Sequence, residues 1–255
     1  MADFQTIQGE PAAATEIFKR LLTAYDDKGT TDVAGLLCAA GALGGFASQQ
    51  AVWKACIEPD KRNPGDFLVR ATTKSGETLY FGEPINLFLQ ATSSGVYSFY
   101  SFVAGAVPDQ SKLPDLIEIF RHVAATAGKP EFWTIRVQGP LGGFPKPKAL
   151  LDTHWPWVQE VLIRHGNPAT EWPVILGFVA HRAIKGGANA TTAPLFARVV
   201  METAILASKI DPRQVAGATS GFDPSGPWNN RAAAGPTQRE VVDEVLPLLP
   251  RAIPR

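Results

Sequence analysis

The segment PDLIEIFRH places two acids and an imidazole at helical spacing. Asp115, Glu118 and His122 fall on one face of a helix, because residues three and four positions apart are neighbours there. A carboxylate one turn from an imidazole can orient a general base or supply half of a metal site. Acids near a helix N-terminus and a solvated polar face explain the same pattern without chemistry. The structural explanation is favoured, because the apolar residues of the segment mark the opposite face as buried.

Further candidate polar residues lie inside apolar segments. His181 follows the run VILGFVA, where an enclosed imidazole can carry a proton, although a hydrogen-bonded core histidine is the commoner case. Gln49 and Gln50 lie on a stretch rich in alanine and glycine. Buried amides there can hold a neighbouring backbone or line a pocket, and the structural role is again favoured.

Known catalytic and ligand-binding signatures are missing from the sequence. It contains no HExxH, no GxSxG, no zinc-type Cys/His cluster, no EF-hand loop and no GK[ST]. We therefore predict no metal and no cofactor, and the sequence identifies no catalytic residue. The 24 basic and 24 acidic side chains cancel, so no net field attracts the protein to nucleic acid or to anionic lipid.

The stretch LLCAAGALGGFASQQAVW allows three interpretations. A membrane span needs at least about 18 apolar residues, and the run from 33 to 47 is shorter. A phosphate loop needs GxGxxG, whereas the spacing here is GxxGG. The third interpretation is a central packing helix over about 33–57, whose small-residue face contacts either the chain's own core or a second subunit. The positions of that face recur at spacings of three and four. They are Ala40, Gly44, Ala47 and Ala51.

The remaining pattern predicts a mainly α-helical α+β fold. Residues 67–81 indicate one small antiparallel β-hairpin around Ser75-Gly76, which should pair with another edge or lie against helices. EFWTIRV is a candidate third strand. Two Thr-x-Trp-Pro segments, at 153–156 and 170–173, predict a capped helix start with proline in the first turn.

The composition changes beyond residue 211. We predict a single globular domain over 1–211, followed over 212–255 by a Gly/Pro-rich linker and a short docking helix with a capping box at Thr237 and Glu240. This helix is predicted to dock either on its own domain or on a neighbouring subunit.

Two function classes follow. The favoured one is a non-catalytic binding or assembly protein that acts as a homo-oligomer, most simply a dimer. The alternative is an enzyme or small-ligand-binding protein whose site is assembled from His122, Glu118 and His181. Two cysteines outside any CxxC pair and the lack of a secretory signal predict a cytoplasmic location.

Overall fold

Eight α-helices dominate the computed structural model, which describes residues 9–73, 76–91, 95–137, 143–218 and 245–251. The helices are α1 (Ala12–Ala24), α2 (Val33–Val52), α3 (Glu83–Gln90), α4 (Phe99–Gly105), α5 (Leu116–Thr126), α6 (Pro147–Arg164), α7 (Trp172–Gly187) and α8 (Ala193–Ala207). The strands are β1 (Asp26–Asp27), β2 (Thr30–Thr31), β3 (Val69–Thr72) and β4 (Thr78–Phe81). This confirms the mainly helical α+β fold, with one correction: β1 and β2 form a second, very short antiparallel sheet.

Helix α2 runs through the centre of the fold. It begins at Asp32, whose side chain accepts a hydrogen bond of 2.9 Å from the backbone N–H of Gly35. A π-helical turn, Trp53–Ile57, continues it to the end of the predicted range. Every residue from Gly35 to Val52 is buried, and α6, α7 and α8 pack around the helix. No helix in the described ranges has the length and apolar character that crossing a bilayer requires.

The small-residue face of α2 allows close approach within the chain. A Cβ atom on Gly45 would lie 1.9 Å from the carbonyl oxygen of Ala204 in α8, and one on Gly44 would lie 2.0 Å from the ring of Phe99 in α4. The four predicted contact positions are all buried inside the single chain. They are Ala40, Gly44, Ala47 and Ala51. The subunit-interface interpretation of this face is therefore corrected, because the chain's own helices already cover it.

The hairpin formed by β3 and β4 pairs with a further edge, as its small size requires. The backbone N–H of Tyr80 donates a hydrogen bond of 2.8 Å to the carbonyl of Lys209, and Leu79 forms an antiparallel bridge with Ile210. Ser75, in the predicted turn, lies outside the described residues. The chain just after α8 is thus fixed against β4.

Two sequence expectations about local structure need correction. EFWTIRV is not a strand. A 3-10 helix, Pro130–Trp133, covers its first residues, and the backbone N–H of Arg136 then donates a hydrogen bond to the Glu202 side chain instead of to a sheet. Pro156 lies within α6 and not in its first turn, because α6 already begins at Pro147. Pro173 does lie in the first turn of α7. The tryptophans that precede the two prolines pack together, with 5.9 Å between the ring centroids of Trp155 and Trp172.

The described end of the chain lies against the helical domain. Val245 and Leu249 are buried, and the N–H of Tyr97 donates a hydrogen bond of 2.8 Å to the carbonyl of Pro250. The described part of the predicted docking helix is a 3-10 turn, Leu246–Leu248. The predicted capping box lies outside the described residues, as do most of the linker and the helix.

Candidate functional site

The acidic residues of α5 have structural partners. Asp115 is the N-cap of α5, and its Oδ1 accepts a hydrogen bond of 3.1 Å from the N–H of Glu118. The Glu118 carboxylate binds the guanidinium groups of Arg136 and Arg198, the latter at 3.0 Å. These contacts, with the hydrogen bond from Arg136 first among them, hold the pKa of Glu118 below its usual value.

A buried carboxylate on α8 completes this ion-pair network. Glu202 accepts a hydrogen bond of 2.6 Å from the backbone N–H of Arg136, and its other oxygen accepts one of 2.9 Å from Nε of Arg198. Its side chain is only 3% exposed. Two carboxylates and two guanidinium groups thus join α5, α8 and the segment after Trp133. Glu118 therefore has a structural role in an ion-pair network, a pairing that was not predicted from the sequence.

The histidines do not assemble the predicted site. Nδ1 of His181 lies 2.9 Å from the carbonyl oxygen of Phe102, and burial is the main cause that lowers the pKa of this imidazole. Nε2 of His122 is buried and has no hydrogen-bond partner among the described residues. His181 thus bonds to α4, whereas Glu118 and His122 lie one turn apart on α5. Neither of the two cavities described below is lined by a histidine.

Gln49 and Gln50 are both buried in α2. Neither polar side-chain atom of Gln49 has a hydrogen-bond partner among the described residues, and the same holds for Oε1 of Gln50. Neither residue lines one of the two cavities. The prediction that these amides are buried agrees with the structure, while a role for them in a pocket receives no support.

The arrangement best suited to chemistry is a cavity of about 350 Å³ between α3 and α5, hereafter the Lys209 pocket. Its walls are mainly apolar side chains, and three polar groups other than Lys209 face it. The lining residues are Phe81, Gly82, Asn86, Gln90, Ile117, Phe120, Arg121, Val123, Ala124 and Lys209. Small-ligand sites are typically concave, mostly apolar and equipped with a few polar groups, and this volume lies at the lower end of their range.

Lys209 is buried at this pocket, with 3% of its surface exposed. Its Nζ atom donates a hydrogen bond of 3.2 Å to Oδ1 of Asn86. The atom lies 5.7 Å from the ring centroid of Phe81 and 5.6 Å from that of Phe120. Burial disfavours the charged ammonium and lowers the pKa of Lys209 to about 7, while the more distant Glu83 carboxylate acts in the opposite direction.

The fold positions this lysine through its backbone. Lys209 follows the last turn of α8, and its carbonyl accepts the hydrogen bond from Tyr80 described above. Two residues further on, Asp211 is held by Arg213, whose Nη2 lies 2.6 Å from the carboxylate and also donates a hydrogen bond of 3.0 Å to the Tyr80 hydroxyl. The segment that contains Lys209 therefore forms hydrogen bonds with Tyr80 of β4 on both sides of Ile210.

Sequence reasoning missed this residue. The pattern of α8 places Lys209 on the polar side of the helix together with Arg198 and Glu202, which predicts an exposed cation. The groups that bury its ammonium come from distant parts of the chain, β4, α3 and α5, so no local motif carries the signal.

A larger cavity, of about 770 Å³, lies beside Trp133 and the start of α6. It is lined by Lys129, Lys146 and Lys148, of which the first two are exposed. Nζ of Lys148 lies 2.6 Å from the carboxylate of Asp152. Solvated or paired cations of this kind are ordinary surface chemistry, so the smaller pocket is the stronger candidate.

The described part of the chain holds no group of three His, Cys, Asp or Glu side chains that could bind a metal ion. Comparison of the sequence and the structure with protein families, curated proteins and solved structures finds no match. Among the described residues, the Lys209 pocket is therefore the feature that best indicates a function.

Proposed function

We propose that this protein binds a small molecule with an apolar body and a carboxylate group in the Lys209 pocket. The observation that carries the proposal is the buried Lys209, which lines a cavity and whose Nζ atom has a neutral amide as its hydrogen-bond partner. An ammonium has three donors, so two remain for a ligand. A ligand carboxylate would supply the negative charge that this buried cation lacks.

The other walls of the pocket support the same ligand chemistry. Phe81 and Phe120 both offer aromatic surface to the ammonium, and Ile117, at 62% exposure, lies at the solvent side. Arg121 is the second cation among the lining residues. A small aromatic or branched carboxylate would place its apolar body on the rings and its charge on Lys209.

Proton uptake provides a direct test. At pH 7 an amine with a pKa of about 7 is about half protonated, and a bound carboxylate favours the charged form. Titration of the full-length protein with benzoate in buffers of different ionisation enthalpy should therefore show an uptake of about half a proton per ligand.

The matched variants are Lys209→Met, which preserves side-chain volume without the charge, and Lys19→Met at an exposed position of α1. Benzoate binding should weaken at least tenfold in Lys209→Met and stay unchanged in Lys19→Met. Equal binding by the two variants would refute the proposal. Thermal melts would confirm that both variants are folded.

Ligand binding of this kind belongs to the second function class derived from the sequence, with a different set of residues. The assembly hypothesis has less support, because the small-residue face is internal and residues 245–251 lie on their own chain. A homodimer and a cytoplasmic location remain proposals.

A further inference from the structure

Lys209 differs from the other described lysines in its surroundings. It is the one lysine among the described residues that is buried, whereas Lys19 and Lys185, for example, are exposed on α1 and α7. A lysine reacts as a nucleophile through its neutral form, which desolvation in an apolar pocket favours. At pH 7 the neutral fraction of an amine with a pKa of about 7 exceeds that of an ordinary lysine by about a thousandfold.

The geometry leaves the reactive electron pair available. A neutral amine donates one of its two hydrogens to Oδ1 of Asn86, while Nδ2 of the same amide donates to the Glu83 carboxylate at 3.2 Å. Asn86 is thereby oriented with its oxygen towards Lys209. Donation to this acceptor does not use the lone pair of the amine, and Lys209 is one of the residues that line the cavity.

We infer that the Lys209 pocket captures small apolar aldehydes by forming an imine with the Lys209 amine. The inference rests on the proposed function, because it needs the same pocket to admit a ligand. The nitrogen lone pair adds to the carbonyl carbon, solvent water carries a proton from nitrogen to oxygen, and the resulting carbinolamine loses one water to give the C=N bond. No oxidant or reductant takes part, and hydrolysis reverses the reaction.

The walls of the pocket favour capture over turnover. Phe81 and Phe120 can hold the apolar body of the aldehyde beside the Lys209 amine. Among the described residues that line the cavity, no Asp, Glu, His, Tyr or Cys is present to shuttle protons. The pocket can therefore store an aldehyde covalently, and it lacks the general acid and base that would process one.

Reductive trapping tests the inference. The full-length protein is incubated with benzaldehyde and cyanoborohydride at pH 7, and the reduced adduct is located by mass spectrometry of proteolytic peptides. We expect labelling of Lys209 at least tenfold faster than that of Lys19 or Lys185. The rate at Lys209 should rise with pH and reach half its maximum near pH 7, whereas labelling of the exposed lysines should continue to rise to higher pH.

The controls separate this inference from the proposed function. Lys209→Met should lose the fast adduct and Lys19→Met should keep it, while benzoate should slow the labelling of Lys209 by competition. If benzoate binds in a manner that depends on Lys209 but labelling spreads over the surface lysines without preference, the imine inference is wrong and the binding pocket stands. If benzoate binding is also absent, both are wrong.

Discussion

Oδ1 of Asn86 lies 3.2 Å from Nζ of Lys209, and this amide is the hydrogen-bond acceptor of the buried ammonium among the described residues. An amide dipole compensates a buried ammonium only in part, because it carries no net charge. Glu83 acts on the lysine from a greater distance, behind Asn86, and Arg121 adds a second positive charge at the same pocket. The charged form of Lys209 should therefore reduce the stability of the fold.

This relationship predicts the pH dependence of stability. The pKa of Lys209 is lowered in the folded state, so between pH 7 and about 10 the unfolded chain binds a proton that the folded chain does not. The contribution of this residue to the free energy of unfolding thus rises with pH across that window, and its destabilising effect is complete below pH 7. Lys209→Met should raise the free energy of unfolding at pH 6 by on the order of a few kcal/mol, and by less at pH 9.5.

Urea denaturation of both proteins at the two pH values measures this difference. Lys19→Met serves as the control, because the exposed side chain should show no such pH-dependent gain. A gain of equal size at pH 6 and pH 9.5 would show that the pKa of Lys209 is the same in the folded and the unfolded chain.

The fold was more accessible to sequence reasoning than the site, for a physical reason. Helix α2 is specified locally, by the Asp32 cap and by a run of residues that tolerate close packing. The Lys209 pocket depends on tertiary contacts, since Phe81, Asn86 and Phe120 approach the lysine only after α3, α5 and β4 have packed. In the same way, the sequence alone left open whether Gly44 faces its own chain, and the position of the Phe99 ring decides it.

Because α2 and α8 pack closely at Gly45, one added methyl group there should lower the stability of the fold strongly. In Gly45→Ala the new Cβ would meet the backbone carbonyl of Ala204, which cannot rotate away as a side chain can. The overpacking should cost about 1–3 kcal/mol or more, in spite of the better helix propensity of alanine. The control is Gly105→Ala at the end of α4, where the nearest atoms, in the His181 ring, lie at an ordinary 3.8 Å.

Thermal or urea denaturation of the two variants provides the comparison. Gly105→Ala should be neutral or stabilising by up to about 1 kcal/mol, since alanine is the better helix former. If Gly45→Ala were as stable as Gly105→Ala, the two helices would have room to separate, and the packing argument for the small residues of α2 would be wrong.

The two glutamates of the ion-pair network should contribute unequally to stability. Removing the buried carboxylate in Glu202→Ala leaves the backbone N–H of Arg136 and the Nε–H of Arg198 without their acceptor, so a loss of about 3 kcal/mol is expected. Glu118 has a side chain that is 41% exposed. Water can replace it, and Glu118→Ala should cost about 1 kcal/mol or less. Chemical denaturation of both variants near pH 7 measures the two losses in the free energy of unfolding. A larger loss for Glu118→Ala than for Glu202→Ala would contradict the prediction.

The C-terminal segment should stabilise its own domain. Val245 is fully buried, whereas Leu248 in the adjacent 3-10 turn is 37% exposed. An aspartate at the buried position would place a charge among apolar side chains, so Val245→Asp should lower the melting temperature clearly, while Leu248→Asp should change it little.

Deletion of residues 245–255 should lower the melting temperature as Val245→Asp does. Light scattering on the same samples measures the oligomeric state, which should not change if the segment packs on its own chain. A deletion that separates subunits and leaves the melting temperature of each unchanged would instead place the segment on a neighbouring subunit, and would restore the predicted assembly role of the C-terminal helix.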